Sequence, residues 1–435
     1  MDSGRRSFIK KSTAAVAAAT ILPRNVFGKM GGDNNFVAPS DQLTRGIIGV
    51  GGIGRSGYHY YDDPRCRLVS VCDVDTDHIK KAVEKCQQKY GNTPATYTDW
   101  RDLIKDPNVD IVHIATPPHW HGIMAAAAAR AGKDIWCEKP MTRTIGESRK
   151  VMEAVKQNGR IFRLNTWFRF KDTFYGLGTP VLPLKKLVMS GKLGWPLTVR
   201  ISGANGFAWK FYWTGMENLE PQSVPPGFDY DMWLGPAPYK PYNIHRTHST
   251  FRGYWDYDGG GLADMGQHYL DPVQYMLGKD DEYPVKVEVD APQQHPDACG
   301  IWRSITYTYA DGCQIILEGE GFESKGKVPY LEGPDGAVYQ GFECTVPHVW
   351  DIINDTPDPA PQNTDFWECV RTRRQFALDE VKGHHSATIV NMGVCALRLG
   401  RTLEFNPKTL RFVDDDAANL LVNQPARGEW AKYLL

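Results

Sequence analysis

After residue 40 the chain alternates between short apolar, β-rich runs and stretches with helical spacing. The runs cover residues 45–50, 67–72, 110–115 and 134–137, with helix-compatible stretches at 75–89 and 122–131 between them. Alternating βα units of this length predict a doubly wound parallel sheet with helices on both faces. The alanines at 125–129 then belong to a tightly packed helix. From about residue 194 the pattern changes to period-two alternation, at 197–201, 285–289, 304–309 and 314–318. Several strands in one stretch predict a second, α+β domain built on a large, mainly antiparallel open sheet. Helical character returns at 365–372 and 387–399, and the polar tail 414–435 is expected to wrap the surface or a partner subunit. The chain therefore divides into a leader and linker (1–40), a first domain (41–165) and a second domain (166–435).

The 435 residues fit two large domains at about 150 or more residues each. With 42% hydrophobic and 23% charged residues the chain is neither disordered nor polytopic. Fifty Lys and Arg against 51 Asp and Glu give a net charge of −1. That balance lacks the basic footprint a nucleic acid demands, so small neutral ligands are the expected partners. The nine cysteines form no Cys-x-x-Cys pair and suggest neither a disulfide framework nor a zinc ribbon.

At the start, Arg5-Arg6-Ser7-Phe8-Ile9-Lys10 precedes a short Ala-rich stretch at 14–22. This pattern reads as a twin-arginine export signal and predicts a periplasmic protein. The apolar stretch is far below the ~20 residues of a membrane span. No clean Ala-x-Ala site follows, which leaves membrane association through a retained segment as the alternative.

The first β run feeds Gly49-Val50-Gly51-Gly52-Ile53-Gly54, a G-x-G-x-x-G fingerprint. In a Rossmann fold such glycines allow the tight turn, the approach of a pyrophosphate and close helix packing. Asp73 follows the second β run at the spacing of a carboxylate that holds a ribose. Neither Val74 nor Asp75 offers a cation for a 2′-phosphate, which favours NAD over NADP.

Two segments fall where strands of this sheet end, the edge at which open α/β sheets bind ligands. One is Ala115-Thr116-Pro117-Pro118-His119-Trp120-His121 and the other Cys137-Glu138-Lys139-Pro140. Together with the glycine fingerprint and Gly259-Gly260-Gly261-Leu262-Ala263-Asp264-Met265-Gly266-Gln267-His268, they resemble the glucose-fructose oxidoreductase and inositol dehydrogenase (Gfo/Idh/MocA) family. The resemblance implies an NAD-dependent dehydrogenase acting on a secondary hydroxyl of a sugar, glycoside or cyclitol. It places Lys139 beside the nicotinamide and the reacting hydroxyl, His268 as general base, and Asp264 as its orienting or substrate-binding partner. Thr116, Pro117, His119, His121 and Glu138 would line the cofactor pocket with Gly49, Gly51, Gly52, Ile53, Gly54 and Asp73. Arg169 would lie near the substrate, with a buried interdomain ion pair as its alternative role. The family also implies a homodimer or homotetramer.

On spacing alone, Asp264 and His268 share one helical face. His119 with His121, His245 with His248, and His384 with His385 are spaced like metal ligands, but no further ligands accompany them in sequence, so no metal is expected. Between the second-domain strands, residues 204–258 form a long insertion dense in aromatics, from Trp209 to Tyr257. Some of these rings, Trp233 among them, suit the apolar faces of a sugar, while at least half are expected to cover a sheet or an interface.

Export adds a constraint, because a dissociable cofactor would strand an enzyme outside the cytoplasm. The expectation is therefore a tightly bound dinucleotide. A redox-neutral glycosidase or lyase working through a keto-sugar uses the same residues and is the first rival. A noncatalytic sugar-binding protein is the second.

Overall fold

The computed structural model describes residues 41–56, 63–166, 168–170, 177–320 and 326–434. The arginine pair and the Ala-rich stretch lie outside the described residues. Among the described residues, no helix is long and apolar enough to cross a membrane.

Six strands form the first sheet: β1 (Leu43–Ile48), β2 (Cys66–Cys72), β3 (Ala95–Tyr97), β4 (Ile111–Ile114), β5 (Asp134–Glu138) and β6 (Phe162–Asn165). They are all parallel and lie in the order β3-β2-β1-β4-β5-β6. The order reverses direction between β1 and β4, and this switch point opens a ligand crevice at the C-terminal strand ends. Ile47, Ile48, Val112, Ile114 and Ile135 are almost fully buried in its core, as strands covered on both faces require. Helices begin and end on local signals. Asp75 caps the Thr76–Tyr90 helix by accepting from the Asp77 N–H, and Gly91 ends it at φ 65°.

The second sheet adds β7 (Thr198–Ile201), β8 (Lys286–Asp290), β9 (Ser304–Thr308), β10 (Gln314–Glu318), β11 (Leu331–Gly333), β12 (Gly336–Val338), β13 (Leu403–Asn406) and β14 (Arg411–Phe412). Their order is β12-β11-β7-β10-β9-β8-β13-β14, and only the β7–β10 pair is parallel. This is the mainly antiparallel sheet the alternation predicts. One face carries Val199, Ile305, Tyr307, Ile315 and Leu317 into a core shared with the Gly260–Leu277 and Glu380–Leu399 helices.

The second of these helices starts at Glu380 rather than 387. Asp379 caps it, and its polar first turns are buried through specific contacts that hydrophobic periodicity does not register. His384 Nδ1 lies 2.7 Å from the Ser148 hydroxyl, and His385 stacks on Tyr283. The tail folds back on its own chain: Trp430 packs on Trp100 and Trp120 of the first domain. All nine cysteines are free thiols, and eight of them are buried.

Candidate active site

At the end of β1 the chain turns sharply. Gly49 has φ 85°, and a Cβ there would lie 2.7 Å from the Ala115 carbonyl. A Cβ on Gly54 would come within 2.0 Å of the Gly49 oxygen, whereas Gly52 faces open space. Each demands glycine for its own reason: a left-handed backbone at Gly49, and close packing of the turn on the following helix at Gly54. Asp73, at the end of β2, accepts a hydrogen bond from Val50 N–H (2.8 Å) and so sits directly beside this turn. Gly51, Gly52 and Ile53 are accessible at its rim. Turn and carboxylate together fit a dinucleotide, with the pyrophosphate over the glycines and a ribose at Asp73.

Across the crevice, the loop after β5 carries Lys139 toward the Gly260–Leu277 helix of the second domain. Its ammonium donates to Asp264 Oδ1 (2.9 Å) and to the Asp264 backbone carbonyl. Two more cations close on the same carboxylate: Lys210 at 2.8 Å from Oδ2 and Arg252 at 2.9 Å from Oδ1. Burial pushes the Asp264 carboxyl up, but Lys139, Arg252 and Lys210 overcome it and hold the group well below the usual carboxylate range. Asp264 is thus a permanent anion under three cations.

One turn further on, His268 is buried, and its Nδ1 lies 2.7 Å from the Thr166 hydroxyl. Burial, reinforced by Lys139, pushes this imidazole well below its ordinary value. The ring is neutral at pH 7. With its proton on Nδ1 directed at Thr166, Nε2 becomes the basic nitrogen. Gln267, between the two, accepts from Met141 N–H (2.8 Å) and donates to Gly383 O and Ser386 Oγ. It fixes the helix against both the Lys139 loop and the Glu380–Leu399 helix.

Asp258, just before this helix, is fully buried. Burial, then the Asp264 charge, pushes its carboxyl up to about 8, against the pull of Arg252 and Lys139. It is therefore mostly protonated at neutral pH. A raised value means its favourable contribution is complete below the ordinary 3.8 and is lost as pH rises through about 8. Asp258→Asn keeps the shape without an ionisable proton. Its melting temperature relative to the unmodified protein should climb steadily from pH 4 to pH 8, and a difference that stays constant across that range would refute the assignment.

Other candidates have different places. His119 Nε2 lies 2.9 Å from the Trp233 carbonyl, and burial drives the ring down to about 3. His121 sits between the carbonyls of Pro140 and Thr116, at 2.7 and 2.8 Å. Both rings are buried and brace the crevice loops from behind instead of lining its open side. Thr116 and Pro117 are the partly exposed members of that segment. Glu138 is buried, accepting from Asn165 Nδ2 at 2.8 Å and lying 3.1 Å from His113 Nε2.

Arg169 does not reach the substrate side. Its side chain is wholly buried and pairs with Asp271 (Nε–Oδ2 2.8 Å) and with Asp280 (2.9 Å). Trp233 is likewise no sugar platform: it is 5% exposed and belongs to an aromatic core with Tyr230 and Tyr257. Of the insertion aromatics, Phe228, Tyr230, Trp233, Tyr242, Tyr254, Trp255 and Tyr257 are buried, while Tyr212 and Tyr239 are the well-exposed ones.

Sequence reading missed Lys210 and Arg252. Both lie in the aromatic insertion, each next to an aromatic residue (Phe211 and Phe251), and Arg252 rests over the Trp213 ring. A cation flanked by aromatics in a long insertion was the available signal.

A dinucleotide turn on a parallel sheet, joined to an open mixed sheet whose buried helix presents an Asp and a His to a loop lysine, defines a two-domain dinucleotide-binding protein of the nicotinamide oxidoreductase type. The chain belongs to the Gfo/Idh/MocA oxidoreductase family. Residues 43–166 match its "NAD-binding Rossmann fold" and residues 177–432 its "C-terminal alpha/beta domain". It is 40% identical over 164 residues to levoglucosan dehydrogenase of Pseudarthrobacter phenanthrenivorans, covering 36% of this chain and 40% of that one. It is 35% identical over 159 residues to glycosyl hydrolase family 109 protein 2 of Shewanella sp. (strain ANA-3), covering 33% and 35%. The first curated relatives are matched over only about half their length, 55% and 44%. The fold is similar to that of the WlbA dehydrogenase from Bordetella pertussis, solved with NADH and UDP-GlcNAcA. The TM-score is 0.57 at 17% identity, over 84% of this chain and 99% of that one.

Proposed function

We propose that the protein is an NAD-dependent oxidoreductase that interconverts a secondary hydroxyl and a carbonyl on a sugar, glycoside or cyclitol, with the dinucleotide held through turnover. The observation that carries this reading is the grouping of Lys139, Asp264 and His268 at the same strand-end edge of the parallel sheet as the dinucleotide turn. Gly49, Gly51, Gly52, Ile53, Gly54 and Asp73 would hold the dinucleotide, whose nicotinamide, when bound, supplies a hydride acceptor.

The residues then have separate tasks. His268 Nε2 takes the hydroxyl proton as hydride departs, and Thr166 holds the ring in register. The Lys139 ammonium stabilises the developing alkoxide, which is where a preorganised cation is most effective. Asp264 anchors that ammonium and offers a carboxylate to a neighbouring hydroxyl. Buried loops braced by His119 and His121 keep water from the reacting carbon.

A second reading is favoured by the similarity to the family 109 glycosyl hydrolase: transient oxidation, loss of a substituent, and return of the hydride. Glu138-Lys139-Pro140 favours the dehydrogenase, because the lysine is expected to be absent from the exported glycosidases. Export through the twin-arginine route and assembly into a homodimer or homotetramer are part of the proposal. Fractionation of cells and light scattering of the purified protein test them.

Purification without added cofactor, denaturation and mass spectrometry should release about one NAD(H) per chain. Hexoses, methyl glycosides and inositols are then screened by the absorbance of bound nicotinamide. Folded protein that neither carries nor binds NAD would overturn the oxidoreductase reading in favour of a sugar-binding protein. A glycoside cleaved with no net change in bound nicotinamide would establish the second reading.

A further inference from the structure

Beside Asp73, the side chains of Asp75, His78 and His248 converge. Their ligating atoms all lie within 4.8 Å of one another. Sequence spacing offered His248 only His245 as a neighbour. The fold instead brings it two partners from the first domain, because the insertion docks on the β2 end. Thr76 N–H donates to Gly227 O (3.0 Å), Asp229 N–H donates to Val74 O (2.9 Å), and Asp75 bridges Phe228.

The distances are diagnostic. Asp75 Oδ2 lies 3.4 Å from His248 Nε2 and 3.9 Å from His78 Nε2. Both exceed the usual hydrogen-bond range of about 2.7–3.2 Å. Ligand atoms held about 2.0–2.1 Å from a tetrahedral zinc ion lie roughly 3.4 Å apart, which one of these separations matches and the other approaches. Three acceptor-capable atoms face a shared point without bonding one another.

Each ligand is also oriented from behind. Asp75 Oδ1 accepts from Asp77 N–H (2.9 Å), which leaves Oδ2 toward the point. His78 Nδ1 lies 3.2 Å from Asp73 Oδ2. In the tautomer that donates to Asp73, the Nε2 lone pair of His78 faces the point, the carboxylate–histidine–metal arrangement of metalloproteins. The His248 ring packs on Phe228.

From this geometry we propose that Asp75, His78 and His248 form a binding site for one divalent transition ion of the zinc type, joining the insertion of the second domain to the ribose end of the first. The donor set is two imidazoles and one carboxylate, with the remaining position for water. Ions that prefer nitrogen, Zn²⁺ and Co²⁺, suit it, and Mg²⁺ and Ca²⁺ do not. Through His78 the ion would fix Asp73, so release of a bound dinucleotide would slow. This consequence alone rests on the function proposed above.

The test uses the untagged full chain, stripped with a chelator and titrated with Co²⁺ while its visible ligand-field absorption is followed. One ion per chain with a tetrahedral signature is expected, together with a loss of about tenfold or more in affinity for His248→Ala and His78→Ala separately. Matching circular-dichroism melts of the apo variants confirm that they are folded. No saturable binding, or binding unchanged in both variants, overturns the proposal, as does Mg²⁺ competing equally with Co²⁺. Dinucleotide release with and without Co²⁺ is measured separately, so a protein that binds no NAD leaves the metal result intact.

Discussion

Lys139→Met is expected to lower kcat by about 10²- to 10³-fold, the range found when one preorganised donor is removed from a developing oxyanion. Methionine matches the stem in length and lacks the charge. Asp264 would keep Lys210 and Arg252, so its ionisation should survive and the helix should stay in place. The loss should therefore fall on kcat more than on KM, with NAD content per chain unchanged. Single-turnover reduction of bound nicotinamide, followed with whichever sugar the screen identifies, measures it. Activity within a few-fold of the unmodified protein would remove Lys139 from the chemistry.

Arg169→Met should be the most destabilising of these substitutions. It strands the Asp271 carboxylate with no exposure and strips Asp280 of the same partner. Breaking a buried ion pair by removing one member costs about 3–5 kcal/mol, because the surviving charge has lost its solvent and its counter-ion together. In a protein of this size the melting temperature should fall by about three to six degrees. Adding Asp271→Asn removes the stranded charge and should recover part of the loss. Two single variants with additive losses would mean that the pair is not coupled.

The two domains differ in how much of them the chain discloses. In the first, each strand is followed by its own helix and pairs near its sequence neighbours, so a linear pattern carries the topology. In the second, β7 lies between β10 and β11, more than 100 residues further on, and β8 pairs with β13. No local pattern encodes those partners. The candidate site divides the same way. Gly49, Gly54 and Asp73 occupy their predicted neighbourhood because a turn and a strand end are local features. His119 and His121 carry the right side chains in the right loop, but sequence spacing does not say which way a ring points. Arg169 could be read either as a substrate contact or as an ion pair, and only the positions of Asp271 and Asp280 separate the two. The Lys210–Asp264 and Arg252–Asp264 contacts depend on how a long insertion folds over the helix, a tertiary fact with no periodic trace.

Gln267 has a consequence for how molecules enter and leave. Its one side-chain amide ties the first domain at Met141, the second-domain helix it belongs to, and the Glu380–Leu399 helix into one junction. Opening the crevice by swinging one domain away from the other would break the buried Met141–Gln267 bond, while the bonds to Gly383 and Ser386 keep the glutamine fixed on its own side. Traffic is therefore expected through the rim segments, with the two bodies remaining docked. Turnover should then depend little on solvent viscosity, and amide exchange near Met141 should be as slow as in the sheet cores while the rim exchanges freely.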